Sequence, residues 1–231
     1  MVDRSKFERL NESQQRIVKF IVDNLDKEVL EQLENAIHVE YARDVSYALE
    51  HRPDVANRAK PQMHRYAVDQ VFVNMFGPDA LQSTEPKGEY YTIYSNGSIS
   101  MSHCEAHTDE KKRPAKHRKK MAKKNEVIEP HQLRFEHFDD ILDNTQKSAV
   151  KNTIHIALYI LHKSKIASDA TEPEGIYVAV PYSDWTDYHL FVSLQLILGM
   201  YGNEELEAME DMAMPALKDV MIDREKDIFK R

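Results

Sequence analysis

Nine basic side chains crowd into one stretch of the sequence: Lys111, Lys112, Arg113, Lys116, Arg118, Lys119, Lys120, Lys123 and Lys124, with no acid between them. Clustered cations of this kind neutralise successive phosphates and release the counterions condensed on a nucleic acid, which gives affinity that falls with salt. Of the 31 Lys and Arg in the chain, the other 22 stand against 39 Asp and Glu, a balance of −17, so the segment is a local cationic patch on an acidic body. That contrast predicts a specific, arm-like contact, because the rest of the molecule repels a polyanion. Tyr90, Tyr91 and Tyr94, just upstream, add aromatic faces on which unpaired bases stack. The same cations fit two other readings: a solvated loop, or one docked on the protein's own acidic helices, and a basic peptide read by a nuclear-transport receptor.

His103-Cys104-Glu105-Ala106-His107 is the second constellation, with His117, His131 and His137 close behind it. Thiolate and imidazole at short spacing suit zinc, and His103, Cys104 and His107 are the candidate ligands. The chain has a single cysteine, and on a strand His103 and Cys104 point to opposite faces. Histidines at a strand end are therefore the favoured reading, and no metal or cofactor is expected. A nucleophilic Cys104 would need an oriented base, and nothing nearby in sequence orients His103 or His107. Arg58 and His64 resemble, over seven residues, the Arg-x4–6-His pairs of helical RNA-cleaving domains, where His moves a proton beside a charge-stabilising Arg. Pro61 lies between them and predicts a broken helix instead. Asp139, Asp140, Asp143, Asp184 and Asp187 do not supply the acid on one strand and acid-x-Lys on the next that a metal-dependent nuclease uses. Neither a GxGxxG nor a GxxxxGK[ST] phosphate loop occurs.

The elements that must hold these residues are mostly helical. Asn11 caps a helix carrying Ile17, Val18, Phe20, Ile21 and Leu25, and a second runs from about 26 to 50 on the stripe Val29, Leu30, Leu33, Ile37, Tyr41, Val45 and Leu49. A third starts near Asp54, is interrupted or restarted at Pro61, and stops at Gly77-Pro78. After a loop over 81–88, β-formers flank Asn96-Gly97, the signature of a hairpin over about 89–103 with a type I′ turn. On its return strand Ile99, Met101 and His103 alternate with Ser98, Ser100 and Ser102. Pro114 suits the first turn of a short helix over Ala115–Lys123, but nine cations so close leave it weak alone, and mobility is expected over order. Short strands are expected at Val127-Ile128 and Leu133–Phe135, a helix from about Asn144 to Lys163, a second loop over 168–175, and a strand over Ile176–Val180. Tyr188–Leu198 fits either period; Ser183 or Thr186 as a cap, with Asp184 and Asp187 at the N-terminal dipole, favours helix. An acidic, Met-rich helix follows from about Asn203, with Met209, Met212 and Met214 on its apolar side.

The sum is an α+β fold, predominantly helical around a small, largely antiparallel sheet. The natural division is a helical region 1–80 and an α+β region 81–231, as two units or one domain. Hydrophobic residues at 42% and charged residues at 30% describe a globular chain. The scarcity of Gly, at 6, argues against a turn-rich barrel or sandwich. No apolar run reaches bilayer length and no leader is visible at the N-terminus, so a reducing, cytoplasmic setting without membrane association is expected, nuclear if the basic segment acts as a signal. The leading functional expectation is a binding or regulatory protein, not an enzyme, that contacts nucleic acid or an acidic partner through residues 111–124. The alternative is an interaction module, an inhibitor or adaptor, that pairs with itself or a partner through the acidic, Met-rich C-terminal helices. The third is a hydrolase or nuclease using the His-rich region 103–137.

Overall fold

The structure is a computed structural model that describes residues 9–106, 115–129, 153–162 and 171–202. Helix α1 spans Glu12–Asn24 and opens on a capping box: the Asn11 side chain accepts from the Gln14 N–H while the Gln14 side chain accepts from the Asn11 N–H. Helix α2 spans Lys27–His51 and α3 spans Ala56–Phe76. The expected break at Pro61 is corrected, because α3 runs straight through it. Pro61 sits only in the second turn, where a missing N–H frees a single carbonyl, and the buried residues Val68, Val71 and Phe72 farther along hold the helix to the core.

The 81–88 loop is also shorter than expected. Strand β1 (Leu81–Ser83) pairs antiparallel with β2 (Tyr90–Thr92) in a small sheet of two strands. Strand β3 (Tyr94–Ser95) forms a hairpin with β4 (Ile99–Ala106), Tyr94 facing Met101 and Ser95 facing Ser100. The turn is not type I′. Gly97 takes φ +96° but Asn96 does not share it; the Asn96 carboxamide instead accepts from the N–H groups of Ser98 and Ile99, which moves the turn one residue on. The mobility expected of the basic segment is corrected over Lys116–Lys124: helix α4 (Lys116–Ala122), seated by buried Met121 and Ala122, continues as a 3-10 turn, Lys123–Ile128, where a strand at Val127-Ile128 was expected.

The expected helix over 144–163 is overturned where the structure describes it: Ile154–Leu161 is strand β5. Every one of its residues is buried, and a strand covered on both faces reads as an unbroken apolar run that helical spacing fits equally well. Strand β6 (Gly175–Pro181) matches expectation, but Tyr188–Ser193 is strand β7 and only Leu194–Leu198 forms a helix, α5, capped by Ser193. Ser183, Asp184, Thr186 and Asp187 therefore belong to the β6–β7 hairpin loop and cap no helix; Asp184 accepts from the Thr186 N–H and hydroxyl. The main sheet has the order β3-β4-β5-β6-β7, antiparallel except for the parallel pair β4–β5. Leu133–Phe135 and the Met-rich C-terminal helices lie outside the described residues.

One face of this sheet, with Ile99, Met101, Ile156, Leu158, Val178 and Leu190, packs on α1, α2 and α3 in one core cluster. The other face carries Cys104, Tyr159 and Ala179 against Ala122 of α4 and Trp185. Among the described residues no helix is long and apolar enough to cross a membrane.

Candidate functional site

Strand β3 pairs with β4 only as far as Met101, so the outer edge of β4 beyond that point is free to border a cleft. Helix α3, β2, β4 and α4 enclose it, and the cavity measures about 310 Å³. Its polar lining comes from Arg65 and Asp69 of α3, Glu89 to Thr92 at β2, His103 and Glu105 of β4, His117 and Arg118 of α4, and His162 just past β5.

Behind the cleft runs a chain of buried polar groups and stacked rings. Asp44 Oδ2 lies 3.1 Å from His64 Nδ1. The His64 ring stacks on Tyr41 with centroids 3.9 Å apart and an 8° tilt. The Tyr41 hydroxyl meets His162 Nδ1 at 3.2 Å, and His162 Nε2 meets Glu105 Oε2 at 3.4 Å. Burial, reinforced by the Glu105 charge, pushes the Tyr41 phenol up to about 12. On the cleft side His103 Nε2 sits 2.9 Å from Asp69 Oδ1, which also accepts the Thr92 hydroxyl at 3.0 Å.

The chain has one gap. His103 Nδ1 and Glu105 Oε1 face each other at 3.8 Å, too far for a hydrogen bond, and among the described residues neither has a hydrogen-bond partner. Two buried unpaired atoms cost about 1–3 kcal/mol each, so this floor is less stable than a fully bonded one. Asp69 Oδ1, by contrast, is held by both Thr92 and His103. His117 stacks on Tyr91 with centroids 5.0 Å apart, and its proton affinity is lowered by burial, then by Arg118 and Arg65, with Glu89 opposing.

Of the expected basic residues, Lys111, Lys112 and Arg113 lie outside the described residues, as do His107, His131 and His137. Lys116, Lys119, Lys120 and Lys123 are exposed on α4 and its 3-10 extension, and Lys120 reaches the Glu85 carboxylate at 4.0 Å. Arg118 lines the cleft; Lys124 is half-buried and its proton affinity is lowered by that burial. The helix is seated by its apolar side, Met121 and Ala122, and by Asn125, whose carboxamide accepts from the His155 N–H at 2.6 Å and donates to the carbonyls of His155 and Pro181 at 3.0 and 2.7 Å. The docking is therefore apolar and amide-based, and most of the cations remain outward.

Tyr90 is 60% exposed at the cleft mouth, whereas Tyr94 packs on Phe76 with centroids 4.2 Å apart and is withdrawn from the expected stacking surface. Cys104 is buried on the face opposite His103, which separates two of the three candidate metal ligands, and among the described residues no group of three or more His, Cys, Asp or Glu is placed to hold a metal. Arg58 is exposed while His64 is buried, and neither lines the cleft.

Asp44, Asp69 and His162 were not anticipated, and His64 was singled out only as the partner of Arg58. A signal did exist for Asp44 and for the buried role of His64: Asp44 follows Ile37 by seven positions and Tyr41 by three on the buried stripe of α2, and His64 precedes Val68 by four on that of α3. An ionisable residue on an apolar stripe needs a buried partner. Together the fold and this cleft define an α+β protein with a histidine–carboxylate floor beside a basic helix. Compared with known proteins, the chain matches no family model, and no curated protein and no solved structure gives a significant match.

Proposed function

We propose that the chain binds single-stranded nucleic acid along α4 and across the mouth of the adjoining cleft. The observation that carries this reading is the placement of exposed Lys116, Lys119, Lys120 and Lys123 beside a rim bearing Arg65, Arg118 and the exposed ring of Tyr90. Cations track a phosphate backbone and an open aromatic face takes a base, the combination that recognises unpaired strands. The acids in the cleft oppose this less than their number implies. Glu89 is paired with Arg65 at 3.1 Å, and Asp69 is held by Thr92 and His103. An acidic protein surface would engage the same lysines without needing Tyr90.

Fluorescence anisotropy with a labelled single-stranded RNA tests the reading. Binding should weaken with salt, with a slope of roughly −0.7 in log–log units for each phosphate contacted. The double substitution Lys119→Ala/Lys120→Ala should reduce that slope by about 1.4. Tyr90→Ala should cost about 1–3 kcal/mol of binding at constant salt slope. Affinity independent of salt, or unchanged by the lysine substitutions, would refute nucleic-acid binding through α4. Loss with the lysines but not with Tyr90 would point to an acidic partner.

A further inference from the structure

We infer that the cleft cleaves the RNA strand it binds, by transesterification, with Asp69 as the group that accepts the 2′-hydroxyl proton and His117 as the group that protonates the leaving 5′-oxygen. The inference rests on the binding reading above and adds chemistry to it.

Four features of the cleft bring these parts together. Asp69 Oδ1 is fixed by the Thr92 hydroxyl at 3.0 Å and by His103 Nε2 at 2.9 Å. Asp69 lines the cleft with its side chain 13% exposed, so one oxygen is held while the residue stays open to the cavity, the arrangement of an oriented base. His117 reaches the same cleft from a different element, α4, with its ring set by stacking on Tyr91. Arg118 lines the cleft as well, supplying donors for the negative charge that grows on the non-bridging phosphate oxygens, while Arg65 beside it is engaged through Nη2 with Glu89 and the Tyr90 carbonyl. The lowered proton affinity of the His117 ring makes it a stronger donor when it carries a proton.

The reaction balances without a further reagent. Asp69 takes the proton of the 2′-hydroxyl, the 2′-oxygen forms a bond to phosphorus, and the bond from phosphorus to the 5′-oxygen breaks. His117 gives its proton to that oxygen. The products are a 2′,3′-cyclic phosphate and a 5′-hydroxyl end; nothing is oxidised or reduced, and solvent exchange resets the two groups. A strand of DNA has no 2′-hydroxyl and is bound but not cut.

The test uses the full chain in excess over end-labelled single-stranded RNA and, in parallel, DNA of the same sequence, each with and without EDTA, with binding followed by anisotropy in the same buffers. Cutting of RNA alone, unaffected by EDTA and leaving cyclic-phosphate ends, is the expected result. Asp69→Asn keeps an oxygen for Thr92 and His103 and should slow cleavage by about 100-fold or more while RNA is bound at least as tightly. His117→Asn, at a half-buried position, should slow it to a similar degree, and thermal melts of both variants check that the fold is kept. RNA that is bound in a salt-dependent way but left intact would overturn the cleavage and leave the binding reading standing. RNA neither bound nor cut would overturn both. Cleavage that EDTA abolishes, that extends to DNA, or that survives both substitutions would overturn the assignment of Asp69 and His117.

Discussion

The serine-bearing face of β4 has a use that can be weighed by titration. His155 is fully buried between Ser100 Oγ, 3.0 Å from Nδ1, and Ser102 Oγ, 3.2 Å from Nε2. Burial, assisted by the Lys124 charge, lowers its proton affinity to about 3, against an ordinary value of 6.5. Because the folded value lies below the unfolded one, the unfolded chain binds more protons as the pH drops. The contribution to stability is therefore complete well above 6.5 and is lost as pH falls from there towards 3. Between pH 7 and pH 5 the loss amounts to about 2 kcal/mol, at 1.36 kcal/mol for each unit of pKa difference. Urea denaturation of the wild type and of His155→Gln at the two pH values isolates this one ring, since every other group titrates in both proteins. The variant is expected to be less stable at pH 7 but to lose about 2 kcal/mol less on going to pH 5. Equal losses in the two proteins would refute the buried neutral histidine, as would a His155 ring that titrates near 6.5 in the folded protein by NMR.

Three further outcomes follow from single side chains. Asn125→Ala strands the N–H and carbonyl of His155 and the carbonyl of Pro181; at about 1–3 kcal/mol for each buried unpaired group, a loss of roughly 3 kcal/mol or more is expected in urea denaturation. Asn11→Ala removes the α1 capping box and should cost about 1 kcal/mol, read as a lowered thermal midpoint. Gly97→Ala forces a Cβ onto a backbone with φ +96° and should cost about 1–2 kcal/mol, whereas Ser98→Ala beside it should be nearly neutral.

Local chemistry made some elements readable and tertiary context hid others. Asn11 and Gln14, the stripe of α2 and the stop at Gly77 needed only neighbours in sequence to act, and they stand in the structure as the residues imply. Ile154–Leu161 did not, because alternation of polar and apolar residues vanishes when both faces of a strand are covered, and what remains suits a helix too. Tyr188–Ser193 was ambiguous for a different reason: a strand can run into a short helix without a break in apolar character. Pro61 misled in the other direction, since packing farther along α3 outweighs one missing hydrogen bond. The basic segment and the His-rich region were visible as composition, but nothing in the sequence brings Asp69 to His103 or His117 to Tyr91. Those contacts exist because β4 and β5 pair in parallel and leave the β4 edge open beside α3. The stacking role expected of Tyr94 failed on the same ground, its ring being committed to Phe76.

The seat of α4 also has a consequence for the order in which the molecule can be completed. Asn125 bonds to groups 30 and 56 residues further along the chain, His155 and Pro181. Its carboxamide has no such partners until β5 and β6 have been synthesised and paired. A chain emerging from the ribosome carries its cationic helix unmoored through all of that interval, and long-range contacts of this separation form slowly because loop closure precedes them. The cationic surface of α4 is thus a late product of folding, set in place by the sheet it adjoins.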